Sequence, residues 1–167
     1  MAIVSNIRRS LSQAFDHALY ATRFIVQRLL DKPEHVAGVR IILIRAGRVV
    51  LVKHWYLPDV WTLPGGGVKK GETLLDAAKR EVREEVGYEL NSIEGVVGIY
   101  NGRYGHKDSV AVVYSEDFSG SMRLLPDAEV LERSLFDIGD LPHDLSPANR
   151  RRIQAFAQGV RDERGGW

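Results

Sequence analysis

Glu81, Glu84 and Glu85 lie three and four residues apart, behind a Pro64-Gly65-Gly66-Gly67 run and just ahead of Gly87. An α-helix advances about 100° per residue, so positions at this spacing share a face. Three carboxylates held that close repel one another unless a cation lies among them. A divalent ion with oxygen ligands, such as Mg²⁺, is the simplest remedy. Glutamate runs on helices are more commonly solvated faces, so the neighbouring residues decide. On a helical wheel Asp76, Lys79 and Arg83 form an ordinary charged face, while Leu75, Ala78, Val82 and Val86 form the apolar stripe. The three glutamates flank that stripe on the side away from the charged face, at the rim of the core. An uncompensated acidic cluster is expensive there, and the position suits a cleft.

The boundaries of the segment sharpen this reading. The glycine run breaks regular structure and lets backbone approach a ligand closely. Glu72 and Thr73 open the helical pattern, and Gly87 stands where a left-handed C-terminal cap is expected. Arg80, beside Glu81 and one turn before Glu84, can orient a carboxylate through charge-assisted hydrogen bonds.

Residues Gly66 to Tyr88 resemble the Nudix box, G-x5-E-x7-R-E-U-x-E-E-x-G-U with U aliphatic. Gly66, Glu72, Arg80, Glu81, Val82, Glu84, Glu85 and Gly87 fall on the pattern. Tyr88 departs from it at the last aliphatic position, where tyrosine's strand propensity makes it a packing variation. The resemblance implies an α/β Nudix-type α/β/α sandwich with a mixed β-sheet. It also implies a Mg²⁺-dependent hydrolase, with Mn²⁺ as a substitute, that uses metal-activated water to cleave a pyrophosphate bond in a nucleoside diphosphate linked to another moiety. Carried over, Glu81, Glu84 and Glu85 become metal ligands, Arg80 orients them, and Glu72 joins the network near the helix start. A multiply charged pyrophosphate needs neutralised oxygens and an activated nucleophile, as that chemistry supplies. The general base is either a glutamate of the box or one on a later loop. Asp127, Glu129 and Glu132 lie near a late strand, and Glu129 is the choice among them.

The rest of the chain sets limits. Its 167 residues suit one domain, and a net charge near +1 gives no bias toward DNA or an acidic partner. With no cysteine, disulfides and thiolate chemistry are excluded. Residues 1–36 read as an amphipathic helix and linker: Leu11, Phe15, Ala18, Ile25 and Leu29 recur at helical spacing, opposite Arg9, Asp16 and Arg23. Packing on the domain or in a homodimer is the favoured role for that helix, ahead of contact with a membrane surface. It lacks the features of a secretory signal, so a cytoplasmic protein is expected. Residues 37–160 form the expected catalytic domain, and 161–167 a frayed C-terminal tail.

Within the domain, Val39–Ile44 and Val49–His54 suggest a hairpin, Trp61–Leu63 a short strand before the glycine turn. Further strands are expected over Ile93–Tyr100, Ser109–Tyr114 and Val130–Phe136. Ser146-Pro147 reads as an N-cap and first helical position, with a helix to about Gln158.

Substrate choice must come from outside the box. His54, Trp55 and Tyr56 precede the glycine turn, where an aromatic ring can stack on a base or cover the core edge. Arg103, His106 and Lys107 lie on an expected loop able to hold phosphate or ribose, or to serve as an ordinary polar turn. The leading substrate class is a small nucleotide derivative: ADP-ribose, a dinucleotide or a nucleotide sugar. Hydrolysis of nucleoside triphosphates, oxidised ones included, or of an RNA 5′ end is the alternative. A non-catalytic nucleotide sensor is a third reading, disfavoured because every box glutamate is present.

Overall fold

The computed structural model describes residues 36–102, 105–123 and 129–167, with backbone only at 105–108. The helix expected near the N-terminus, Arg103, Asp127 and the side chains of His106 and Lys107 therefore lie outside the described residues. Strand β1 (Val36–Arg45) turns at Ala46 and Gly47 into β2 (Arg48–His54). Both turn residues have positive φ, 51° and 75°, which matches the twist of a tight hairpin. β1 leaves β2 after this end of the hairpin and runs parallel to β6 (Gly105–Ser115), which pairs antiparallel with β5 (Gly95–Gly102). β2 continues between β3 (Leu57–Thr62) and β8 (Val130–Asp137). A mixed sheet results, as expected.

Period-two alternation gives this sheet two apolar faces. Ile42, Ile44, Val49 and Leu51 join Trp61, Val97 and Tyr100 in a core cluster closed by Ile153 of α2 (Pro147–Ala157). Ile41, Leu43, Val50 and Val52, the intervening residues, are equally buried on the opposite face. Helix α1 (Leu74–Val86) supplies Leu74, Ala77, Ala78, Val82 and Val86 as buried residues. Leu75, expected in that stripe, is only half-buried, because the buried arc is rotated toward Leu74 and Ala77. Burying Val82 and Val86 completely contributes about 1.5–3 kcal/mol each.

Local signals locate α1. Thr73 caps its N-terminus by accepting from the Asp76 N–H at 3.1 Å, and Asp76 accepts in return from the Thr73 N–H at 3.2 Å. Gly87 ends the helix at φ 84°, its N–H donating to the Arg83 and Val82 carbonyls. Tyr88 then opens β4 (Tyr88–Leu90), which pairs with β7 (Phe118–Gly120). Its buried ring lies 4.9 Å from Phe118, under the Arg45 guanidinium at 4.8 Å. The box departure is thus a packing variation. At α2, Ser146 precedes Pro147 but makes no side-chain capping bond.

The tail departs from expectation. Glu163–Gly166 forms β9, parallel to β5 and at the end of the sheet. Tertiary partners hold it: the Tyr100 hydroxyl donates to Glu163 at 2.7 Å, and Arg152 Nη2 donates to the Gly166 carbonyl at 2.5 Å. Among the described residues no helix is long and apolar enough to cross a membrane.

Candidate active site

The glycine turn is laced to β1. Ile41 N–H donates to the Pro64 carbonyl and Val39 N–H to the Gly66 carbonyl, each at 2.9 Å, and Val68 N–H donates to Ala37 at 3.0 Å. Arg40 adds a side-chain bond to the Leu63 carbonyl at 3.2 Å and another to that of Gly65. Gly65 has φ 136°, and a Cβ there would lie 2.1 Å from the Val39 carbonyl oxygen. Only glycine fits.

α1 passes this turn and presents its acidic side to it. Arg80 is the hub: Nε and Nη2 fork onto Glu72 at 2.7 and 2.9 Å, and Nη1 reaches Glu81 at 2.6 Å and Glu84 at 3.3 Å. Nη2 also donates to the Gly67 carbonyl at 2.9 Å, tying helix to turn. A planar five-donor guanidinium suits such a junction, and an ammonium does not. The Arg80 hydrogen bonds hold Glu72 at a pKa of about 2. Its carboxylate partners in turn raise Arg80 further above its already high value.

Glu85 is fixed separately. Its Oε2 accepts from the Gly65 N–H at 2.8 Å and its Oε1 from His54 Nε2 at 2.6 Å. The Thr62 hydroxyl stands 3.4 Å from the other ring nitrogen of His54. Glu81 and Glu85 are each 8% exposed, while the Glu84 side chain is 55% exposed. Burial raises the Glu81 pKa; Arg80 opposes the shift, and the Glu85 and Glu84 charges add to it. Glu81 and Glu85 thus hold buried positions and Glu84 an open one.

Gly65, Gly66 and Gly67 meet the helix differently. Gly65 is buried with its N–H given to Glu85, Gly66 lies against the Glu81 carboxylate, and Gly67 is exposed. Trp55 and Tyr56 occupy the β2–β3 connection, 62% and 54% exposed. Tyr56 stacks on His54 with centroids 5.0 Å apart, so this aromatic pair adjoins the Glu85 end of the cluster. Burial raises the Tyr56 pKa, and the charges of Arg40, Glu85, Glu129 and Glu81 also act on it. Glu129 is exposed, and its carbonyl accepts from the Trp55 N–H at 3.0 Å. Arg40 is the site residue that the sequence does not mark, and His54, expected there as an aromatic surface, instead serves as the partner of Glu85. The available signal for His54 was an inward position in β2, in step with Val50 and Val52.

This arrangement suits a hard divalent cation. All side-chain donors are carboxylate oxygens, and those of Glu72, Glu81 and Glu84 share the one Arg80 guanidinium while Glu85 stands apart on Gly65 and His54, so negative charge is in excess. Among the described residues no three His, Asp or Glu side chains are already gathered as a cage. The carboxylates instead spread over Arg80, with Glu84 on the open side.

The family profile described as NUDIX domain matches residues 34–156. A Bacillus subtilis (strain 168) protein, provisionally named an 8-oxo-dGTP diphosphatase, is 30% identical over 122 residues, covering 73% of this chain and 79% of that protein. The ADP-ribose pyrophosphatase of Methanocaldococcus jannaschii is also 30% identical, over 132 residues, 74% of this chain and 76% of that one. The crystal structure of a MutT NUDIX hydrolase from Burkholderia pseudomallei superposes with a TM-score of 0.61 at 27% identity, covering 71% of this chain and 95% of its own. The chain belongs to the Nudix family of pyrophosphohydrolases.

Proposed function

We propose that this protein is a Mg²⁺-dependent hydrolase of a nucleoside diphosphate linked to another moiety, of the ADP-ribose, dinucleotide or nucleotide-sugar type. The observation that carries this reading is the carboxylate cluster spread over Arg80, directly against the glycine turn. The name of the Methanocaldococcus relative agrees with the substrate class. Hydrolysis places the oxygen of water on one phosphorus and releases the bridging oxygen with the other, giving two phosphate monoesters.

In this reading Glu81, Glu84 and Glu85 hold the metal. Arg80 and Glu72 fix the geometry of Glu81 and Glu84, while the Gly65 N–H and His54 fix that of Glu85. Bound Mg²⁺ supplies charge neutralisation at the phosphate oxygens and acidifies water. Gly66 and Gly67 give the anionic substrate close access to backbone, and Trp55 and Tyr56 offer an aromatic surface beside it. A carboxylate must accept one proton from the attacking water. Glu84, exposed on α1, and Glu129, beside Trp55, are the candidates.

The test is incubation with Mg²⁺ and a panel of ADP-ribose, a dinucleoside diphosphate, a UDP-sugar, dGTP and 8-oxo-dGTP, with products separated by chromatography. A nucleoside monophosphate plus a second phosphate monoester is the expected result. Monophosphate plus pyrophosphate from the triphosphates alone would move the assignment toward the Bacillus relative's named activity. Glu84→Gln is expected to lower kcat at least about 100-fold with the fold intact. Near-normal turnover in that variant removes Glu84 from the machinery. A pH–rate profile that changes in Glu129→Gln instead marks Glu129 as the proton acceptor.

A further inference from the structure

A cavity of about 420 Å³ opens beside the glycine turn. Gly66 and Gly67 of the turn, Gly38, Arg40 and Val110 of the sheet, and Trp167 are among the residues that line it. Neither Trp55 nor Tyr56 lines it. A few hundred cubic ångströms lined, among the described residues, by an aromatic residue, apolar residues and an arginine make a pocket of small-ligand size. Gly66 and Gly67 are the lining residues it shares with the proposed chemistry.

Trp167 lies beyond the stretch matched by the family profile, which ends at residue 156. Several unrelated contacts nevertheless converge on placing it. β9 pairs with β5 from Glu163 to Gly166, and the Trp167 N–H donates to the Asn101 carbonyl at 2.9 Å. The Tyr100 hydroxyl holds Glu163, and Arg152 holds the Gly166 carbonyl. Arg152 also lies 3.6 Å over the Tyr100 ring and 5.9 Å from that of Trp167. A Cβ at residue 98 would meet the Glu163 carbonyl at 2.6 Å, so Gly98 clears the path of the strand. These contacts fix one indole beside the glycine turn.

We infer that the nucleoside end of the substrate binds in this cavity, with its base against the Trp167 indole and its phosphate directed over Gly66 and Gly67 toward the Arg80 cluster. Trp167, the residue that follows β9, is then a specificity-determining residue. Any base offers a π-face, so the indole selects for a nucleobase over a bare sugar phosphate. Val110 and Gly38 give the ring an apolar edge, and Arg40 carries positive charge close to the phosphate path. The inference rests on the proposed function for the direction of the phosphate.

Isothermal titration in EDTA, where turnover is blocked, tests it with AMP, GMP and ribose 5-phosphate as probes. Trp167→Leu keeps apolar bulk, and Trp167→Phe keeps an aromatic face. The expected result is nucleoside monophosphate binding that weakens about tenfold or more in Trp167→Leu and less than about threefold in Trp167→Phe. Ribose 5-phosphate should bind all three proteins alike. Equal monophosphate affinity in wild type and Trp167→Leu overturns the inference, as does failure of wild type to bind either monophosphate. An equal loss for ribose 5-phosphate in Trp167→Leu overturns the base assignment. If the panel is hydrolysed while Trp167→Leu binds normally, the cavity assignment falls and the proposed function stands. If binding behaves as expected but no panel member is hydrolysed, the hydrolase reading falls instead.

Discussion

Gly66 leaves no room for a side chain beside Glu81: a Cβ on residue 66 would lie 2.5 Å from Glu81 Oε1 and 2.8 Å from its carboxyl carbon. The requirement is spatial, since Gly66 is not among the glycines with positive φ. Gly66→Ala must therefore displace the Glu81 carboxylate or open the turn. We expect at least about a 100-fold loss in kcat/KM with unchanged far-UV circular dichroism, by analogy with removal of a catalytic electrostatic group. Wild-type kinetics in this variant would show that Glu81 is not held where the reaction needs it.

Arg80→Lys separates charge from geometry. Lysine keeps the positive charge but cannot fork onto Glu72 while also reaching Glu81, Glu84 and the Gly67 carbonyl. Steady-state kinetics should show kcat falling about 10- to 100-fold with KM changed far less. A loss confined to KM would instead mark Arg80 as a substrate contact.

His54→Phe preserves a buried ring and removes the donor to Glu85. Hydrogen bonds to charged groups contribute about 1.5–3 kcal/mol, and Glu85 would be left buried with one oxygen unpaired. Urea denaturation should report a loss in that range. The Mg²⁺ concentration giving half-maximal rate should rise about tenfold, as for other outer partners of metal ligands. An unchanged Mg²⁺ requirement would make His54 a packing residue only.

Glu72 links folding to acid. Its pKa falls from an ordinary 4.5 to about 2, chiefly through the Arg80 hydrogen bonds. A carboxyl depressed on folding stabilises the protein above its unfolded pKa, and that contribution fades as pH drops from 4.5 toward 2. Thermal melts over this window should fall less steeply for Glu72→Gln than for wild type. Parallel curves would show that Arg80 is held by its other carboxylates alone.

Local signals were legible in the chain. Thr73, Gly87 and the Ala46-Gly47 turn act within a few residues of themselves, so each element ended near where the sequence placed it. The box glutamates were legible for the same reason, because one helix sets their spacing. Contacts between distant segments were not. His54 reaches Glu85 across 31 residues, and Arg40 reaches the Gly65 carbonyl across 25. Neither spacing leaves a periodic trace. β9 was read as a frayed tail because Glu-Arg-Gly-Gly has no strand propensity. It pairs because Gly98, Tyr100 and Arg152, far away in sequence, provide its seat.

β9 also sets what this end of the sheet presents to another chain. It pairs with Gly98 to Asn101 of β5, whose N–H and C=O groups would otherwise be open to another chain. The new border is four exposed residues long, with two glycines and one charge of each sign. A border that short and polar is a poor template for another strand. Ordering the segment therefore leaves this end of the sheet with little to offer a pairing strand.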